Sequence, residues 1–133
     1  MQAEAMLKSH PNPLSVQKQL VACVEACFDC AHHCTACADA CLAEDNVADL
    51  RGCIRTDLDC ADICNATARV LSRQTAFGES PAATQVKACR DACQKCAAHC
   101  EGHGDQNQHC ALCAEACNRC VKACDDLLGE IDS

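Results

Sequence analysis

From Cys23 to Cys41 the chain reads CVEACFDCAHHCTACADAC, with cysteine at positions 23, 27, 30, 34, 37 and 41. The intervals alternate between four and three. On a strand, whose side chains change face at every residue, this spacing would scatter the cysteines over both faces. On an α-helix it gathers them into one stripe. That stripe is the face a bundle helix turns toward its neighbours, where Leu or Ile ordinarily sits. Whatever fold contains this segment must accommodate six thiols in its interior.

The rhythm recurs. CRDACQKCAAHC (89–100) and CAEACNRCVKAC (113–124) repeat the spacing of CVEACFDCAHHC (23–34), and CADIC (60–64) keeps a fragment of it. Between these stretches lie turn signals: Asp45-Asn46, the run GESP from Gly78 to Pro81, and Gly102 with Gly104. The expectation is four helices. The first starts at Asn12-Pro13 and runs to about Ala43; the second covers 47–74. The third begins after Ser80 as cap and runs to Cys100. The fourth starts with an Asp105/Gln108 capping box and stops at Gly129. Short connections make the fold all-α, an antiparallel up-down four-helix bundle with a cysteine-lined core. Residues 1–12 read as a loosely packed tail or short helix, and 13–129 as the bundle. The second helix carries the stripe Leu50, Cys53, Asp57, Cys60, Cys64, Thr67, Leu71, so one carboxylate falls among the thiols. Antiparallel alignment makes a thiol column roughly 30 Å long. Val16, Leu20, Leu71, Val86, Leu127 and Leu128 plug one pole, and a polar mouth near Cys41, His103 and His109 forms the other.

Composition narrows the chemistry. Eighteen of 133 residues are cysteine, Trp and Tyr are absent, and Phe occurs twice, so ordinary large core fillers are scarce. A net charge of -8 argues against nucleic acid as a partner. No segment is apolar enough to span a bilayer, and the N-terminal residues lack the pattern of a secretory leader, so a cytoplasmic location is expected. In a reducing compartment, dense cysteine points to metal rather than disulfides. Geometry agrees, because i,i+4 cysteines on one helix have Cβ atoms about 5–6 Å apart, too far for an S–S bond.

Sixteen cysteines form i,i+4 pairs: Cys23 with Cys27, Cys30 with Cys34, Cys37 with Cys41, Cys60 with Cys64, Cys89 with Cys93, Cys96 with Cys100, Cys113 with Cys117, and Cys120 with Cys124. Cys53 and Cys110 complete the set of candidate ligands. Thiolates select Cu(I), zinc and iron–sulfur units. Zinc prefers isolated four-ligand sites, and the ferredoxin run ending in Cys-Pro is absent. A continuous one-face column suits multiple Cu(I) ions best, with a zinc or general soft-metal buffering or detoxification protein as the alternative. Asp57 is either a ligand or charge partner near Cys53, or turns outward toward Arg55 or Arg90. His103 and His109 are candidate ligands at the mouth, whereas His32, His33 and His99 fall on helix flanks. No βαβ pattern accompanies the cysteines, so a redox enzyme is not expected.

The repeated CxxxCxxC pattern at 23–41, 89–100 and 113–124, with its partial copy at 60–64, resembles that of the cytosolic copper storage proteins over residues 14–128. The resemblance implies non-catalytic, high-capacity Cu(I) storage, a homotetramer, and uptake at the histidine-bearing end. It also implies exchange with a protein that donates or accepts copper. It places Cys53 and Cys110 in the core with the paired cysteines, and Asp57 among polar residues that supplement the thiolates.

Overall fold

In the computed structural model, which describes residues 1–131, a short helix α1 (Ala3–Lys8) precedes four long ones: α2 (Gln17–Leu42), α3 (Arg51–Leu71), α4 (Ala82–Glu101) and α5 (Gln108–Ile131). Single 3-10 turns at Val47–Leu50 and Phe77–Glu79 lead into α3 and α4. No strand occurs among the described residues. The long helices touch in the cyclic order α2, α3, α4, α5 and back to α2, which is the expected up-down bundle, and α1 packs on α2. None of these helices is long and apolar enough to cross a membrane.

The stripes face inward as their spacing requires. All eighteen cysteines are buried unpaired thiols. Alanines beside the stripes, among them Ala31, Ala38, Ala61, Ala68, Ala97 and Ala114, are also buried, and their small side chains let the helices approach closely. At one pole Leu20, Leu71, Val86 and Leu127 are fully buried, each aliphatic side chain contributing about 1.5–3 kcal/mol through burial. Val16 and Leu128 pack at the edge of this plug. Thr67, the polar stripe residue beside it, donates to the Ile63 carbonyl (2.7 Å) and accepts from Gln85 Nε2 (3.0 Å). The opposite pole is not wholly polar, because Leu50 is fully buried there.

Several helix ends differ from expectation, each for a physical reason. The first long helix starts at Gln17 rather than at Asn12-Pro13. The Leu14 N–H that an early helix turn would use donates instead to Gln74 Oε1 (2.9 Å), and His10 Nδ1 takes the Asn12 N–H (2.9 Å). Gln74 also accepts from Gln17 Nε2 (2.8 Å) and donates to the Leu7 carbonyl (2.9 Å). The N-terminal segment is therefore tied to the end of α3 rather than loosely packed. Freeing Gln74 for this role requires α3 to end at Leu71, short of residue 74. Helix α4 begins at Ala82 with Pro81, not Ser80, in the cap position, although Ser80 Oγ still accepts from the Ala82 N–H (3.2 Å). The Asp105/Gln108 box does not form: Gln108 is itself the first residue of α5, and the Asn107 carbonyl accepts from Cys110 and Ala111. Helix α5 runs through Gly129 to Ile131, which packs against the core.

Candidate metal centre

The cysteine stripes meet in fixed registers. Between the antiparallel α2 and α5, five sulfur pairs face one another in sequence: Cys23/Cys124 at 3.9 Å, Cys27/Cys120 at 3.8 Å, Cys30/Cys117 at 3.7 Å, Cys34/Cys113 at 3.7 Å and Cys37/Cys110 at 3.9 Å. Between α3 and α4 the pairs are Cys64/Cys89 and Cys60/Cys93, both at 3.7 Å, then Asp57 with Cys96, then Cys53/Cys100 at 3.4 Å. Contacts across the bundle join the two walls: Cys27 to Cys89 (3.7 Å), Cys30 to Cys60 and Cys93 (3.9 Å each), and Cys34 to Cys96 (3.8 Å). The result is one sulfur network.

Four-donor sets recur along it, each with its ligand atoms within 4.8 Å of one another. They include Cys27/Cys89/Cys120/Cys124, Cys30/Cys64/Cys93/Cys120, Cys30/Cys34/Cys60/Cys117 and Cys34/Cys96/Cys113/Cys117. A tetrahedral ion with bonds of about 2.3 Å to sulfur requires S···S edges of about 3.8 Å, so any one set is suitable for such an ion. The sets overlap, however. Cys30, Cys34, Cys117 and Cys120 each belong to two. Filling neighbouring sets together makes these sulfurs bridge ions, and the column then holds a cluster rather than a series of isolated sites.

Asp57 is inside the column. It is fully buried and stands opposite Cys96 in the α3/α4 register, at the place of a thiol. Its Oδ1 accepts from Cys96 (3.0 Å), Cys113 (3.3 Å) and Cys100 (3.5 Å), and its Oδ2 from Cys53 (3.9 Å). The outward alternative fails, since Arg55 pairs with Asp59 (2.9 Å) and Arg90 with Asp125 (3.1 Å). Burial, followed by the Cys96 contact and charge on nearby thiolates, pushes the Asp57 carboxyl far above the usual carboxylate range.

At the pole opposite the plug, Cys37, Cys41, Cys110 and His109 form another four-donor set. His109 Nδ1 lies 3.4 Å from Cys37 Sγ and 3.6 Å from Cys110 Sγ. On its far side Nε2 meets Glu44 Oε2 at 3.3 Å. Burial opposes the imidazolium, but contacts with Cys37 and Glu44 outweigh it and raise the His109 pKa. Burial drives the Cys41 thiol up to about 12. Cys37 moves down to about 5, because facing thiols, Cys100 foremost, and the His109 ring favour its thiolate. His103 is placed differently. It sits in the α4–α5 connection, where its N–H donates to the Cys100 carbonyl (3.1 Å) and its carbonyl accepts from Gln106 and Asn107. Among the described residues its imidazole makes no hydrogen bond. Glu44 follows Cys41 by three residues and so continues the α2 rhythm, but it falls in the turn after the helix, and the packing of α5 brings it to His109.

Known proteins resemble this chain in sequence and fold. The family model for copper storage proteins matches residues 16–129. The copper storage protein Ccsp of Streptomyces lividans, solved loaded with 10 copper equivalents, is 45% identical and superposes with a TM-score of 0.92, over 96% of this chain and 98% of its own. A five-copper structure of a cytosolic copper storage protein from the same organism gives 49% identity and a TM-score of 0.82, covering 84% of this chain and 93% of that one. Cu(I)-bound BsCsp3 is 35% identical with a TM-score of 0.69, covering 79% and 93%. The family-model match over residues 16–129, joined to these likenesses in sequence and fold, places this chain in the copper storage protein family.

Proposed function

We propose that the column stores many Cu(I) ions. Its ligands are Cys23, Cys27, Cys30, Cys34, Cys37, Cys41, Cys53, Cys60, Cys64, Cys89, Cys93, Cys96, Cys100, Cys110, Cys113, Cys117, Cys120 and Cys124, with Asp57 supplementing them inside and His109 serving at the mouth. His103 stands at the same end, in the α4–α5 connection. The observation that carries this reading is the overlap of the four-donor sets. Charge gives it a physical basis. Each Cu(I) that replaces a thiol proton leaves the dry interior uncharged. A Zn²⁺ with four thiolates of its own leaves two negative charges buried at every site, at substantial desolvation cost. Bridging sulfurs relieve that excess for a cluster of monovalent ions, and low-coordinate Cu(I) accepts them.

The role is storage, without a catalytic step. Ions enter at the Cys37/Cys41/His109/Cys110 end and move inward by exchange between sulfurs less than 4 Å apart. The aliphatic plug closes the other pole. The store works in the cytoplasm, the location given for the cytosolic Streptomyces relative, and exchanges copper there with a donor or acceptor protein. Exposed Leu42, Leu58 and Leu112 supply apolar surface for assembly into a homotetramer.

Anaerobic Cu(I) titration against a chromophoric chelator tests the reading. Saturation near one ion per cysteine is expected. Saturation by about four zinc ions, with Cu(I) binding no more than that, would favour the zinc-buffer alternative.

A further inference from the structure

The six histidines differ in which ring nitrogen their surroundings leave free. His33 Nδ1 is 2.9 Å from the Asp29 carbonyl of its own helix, an acceptor only, so the ring hydrogen sits on Nδ1 and no Nδ1 lone pair is available. His10 uses both nitrogens, Nδ1 accepting from the Asn12 N–H and Nε2 meeting Thr75 Oγ1 at 3.0 Å. His109 is the reverse of His33. Glu44 Oε2 is an acceptor facing Nε2 at 3.3 Å, which keeps a hydrogen on Nε2 and turns Nδ1 toward Cys37 and Cys110, so that Nδ1 is the nitrogen open to a metal ion once the ring is neutral.

Glu44 is not held by chance. Its N–H donates to the Cys41 carbonyl (3.2 Å), in the turn where α2 ends. Cys41 belongs to the same four-donor set as His109. One turn of backbone thus carries a sulfur donor and the carboxylate that orients the imidazole donor. Glu44 and His109 are both half-buried, with side-chain exposures of 34% and 26%, so the pair is partly shielded from solvent yet reachable from outside.

We propose that Glu44 is a positioning residue for copper uptake: it fixes His109 in the Nε2–H tautomer, so that Nδ1 and the thiols of Cys37, Cys41 and Cys110 present a preformed four-donor site at the mouth. The proposal rests on the reading that copper enters at the His109 end. It follows the general pattern in which a ligating imidazole is oriented through its second nitrogen by a carboxylate. Glu44 touches no ion itself, so it governs the rate of uptake rather than the final content.

The test uses the full chain, reduced and metal-free, with Glu44→Ala, Glu44→Gln and His109→Ala variants. Two-bond 1H–15N correlation spectra of histidine-labelled protein report the His109 tautomer. Stopped-flow mixing with a Cu(I)–chelator complex reports uptake rate, and the endpoint reports capacity. Recorded at a pH where the His109 ring is neutral, wild type should show the Nε2–H tautomer. Glu44→Ala should give a tautomer mixture and about 10-fold slower uptake at unchanged capacity. Glu44→Gln, whose carbonyl oxygen still accepts from Nε2, should restore both the tautomer and most of the rate. Wild-type tautomer and rate in Glu44→Ala would overturn the proposal. If His109→Ala slows uptake in that case, only the Glu44 assignment falls. If His109→Ala is also as fast as wild type, uptake through this end falls with it.

Discussion

Replacing Asp57 by Asn isolates the one carboxyl in the column. In the metal-free protein Asp57 is fully buried, four thiols point at it, and Arg55 and Arg90 are engaged elsewhere. Its folded pKa is raised above the ordinary 3.8. A raised pKa contributes stability that is fully present below the unfolded value and is lost as pH rises toward the folded one. Between about pH 4 and about pH 7 the unfolded chain releases this proton while the folded chain keeps it, costing about 1.4 kcal/mol per pH unit, or about 4 kcal/mol at most over that span. Asn has nearly the same shape, accepts from the same thiols and does not titrate. Its NH2 group finds only weak sulfur acceptors, which offsets part of the gain. Metal-free Asp57→Asn should therefore be more stable than wild type at about pH 7 by about 2–3 kcal/mol, with the gap narrowing toward about pH 4. Thermal unfolding followed by circular dichroism across this range measures the difference, as a rise of roughly 5–10 °C in Tm at neutral pH. Equal or lower stability of the variant at neutral pH, with parallel pH profiles, would refute the reasoning and place a charged Asp57 in the folded state.

Three further outcomes follow from the structure. Gln74→Ala removes three hydrogen bonds that tie the N-terminal segment to the end of α3, so amide exchange in residues 7–17 should accelerate while the cysteine stripes keep their protection; uniform acceleration would show that the tie supports the whole bundle. Ala76 has a left-handed backbone with φ of 53°, and Ala76→Gly should stabilise by about 0.5–1 kcal/mol in urea unfolding, the relief of strain exceeding the added chain entropy. Cu(I) must displace protons from thiols such as Cys41, held up to about 12, so chelator competition should show affinity falling by about tenfold per pH unit between about pH 7.5 and about pH 5.5; a flat profile would mean that the ligands are already thiolates.

What the sequence reveals and conceals divides along the stripes. The alternation of four and three residues sets the direction of the stripe side chains, so the helix faces, the sulfur column and the Leu20/Leu71/Val86/Leu127 plug are readable from spacing. The side that Asp57 takes is not, because whether a stripe carboxyl turns out to meet a cation depends on which arginines the neighbouring surfaces capture. Helix ends are also poorly readable where tertiary contacts compete with local caps. Gln74 takes the Leu14 N–H that an early helix start would use, and Ile131 packing carries α5 past Gly129. Glu44 continues the α2 rhythm three residues past Cys41, but beyond the end of the helix, and its meeting with His109 is a product of the assembled bundle.

Copper K-edge X-ray absorption on the fully loaded chain tests most directly whether the column is a shared-sulfur store. The overlapping four-donor sets predict a first shell dominated by sulfur at low coordination number, together with a Cu···Cu scattering shell from ions bridged by common thiolates. A first shell of four sulfurs with no Cu···Cu contribution would contradict it, because it would mean that the ions occupy separate sites.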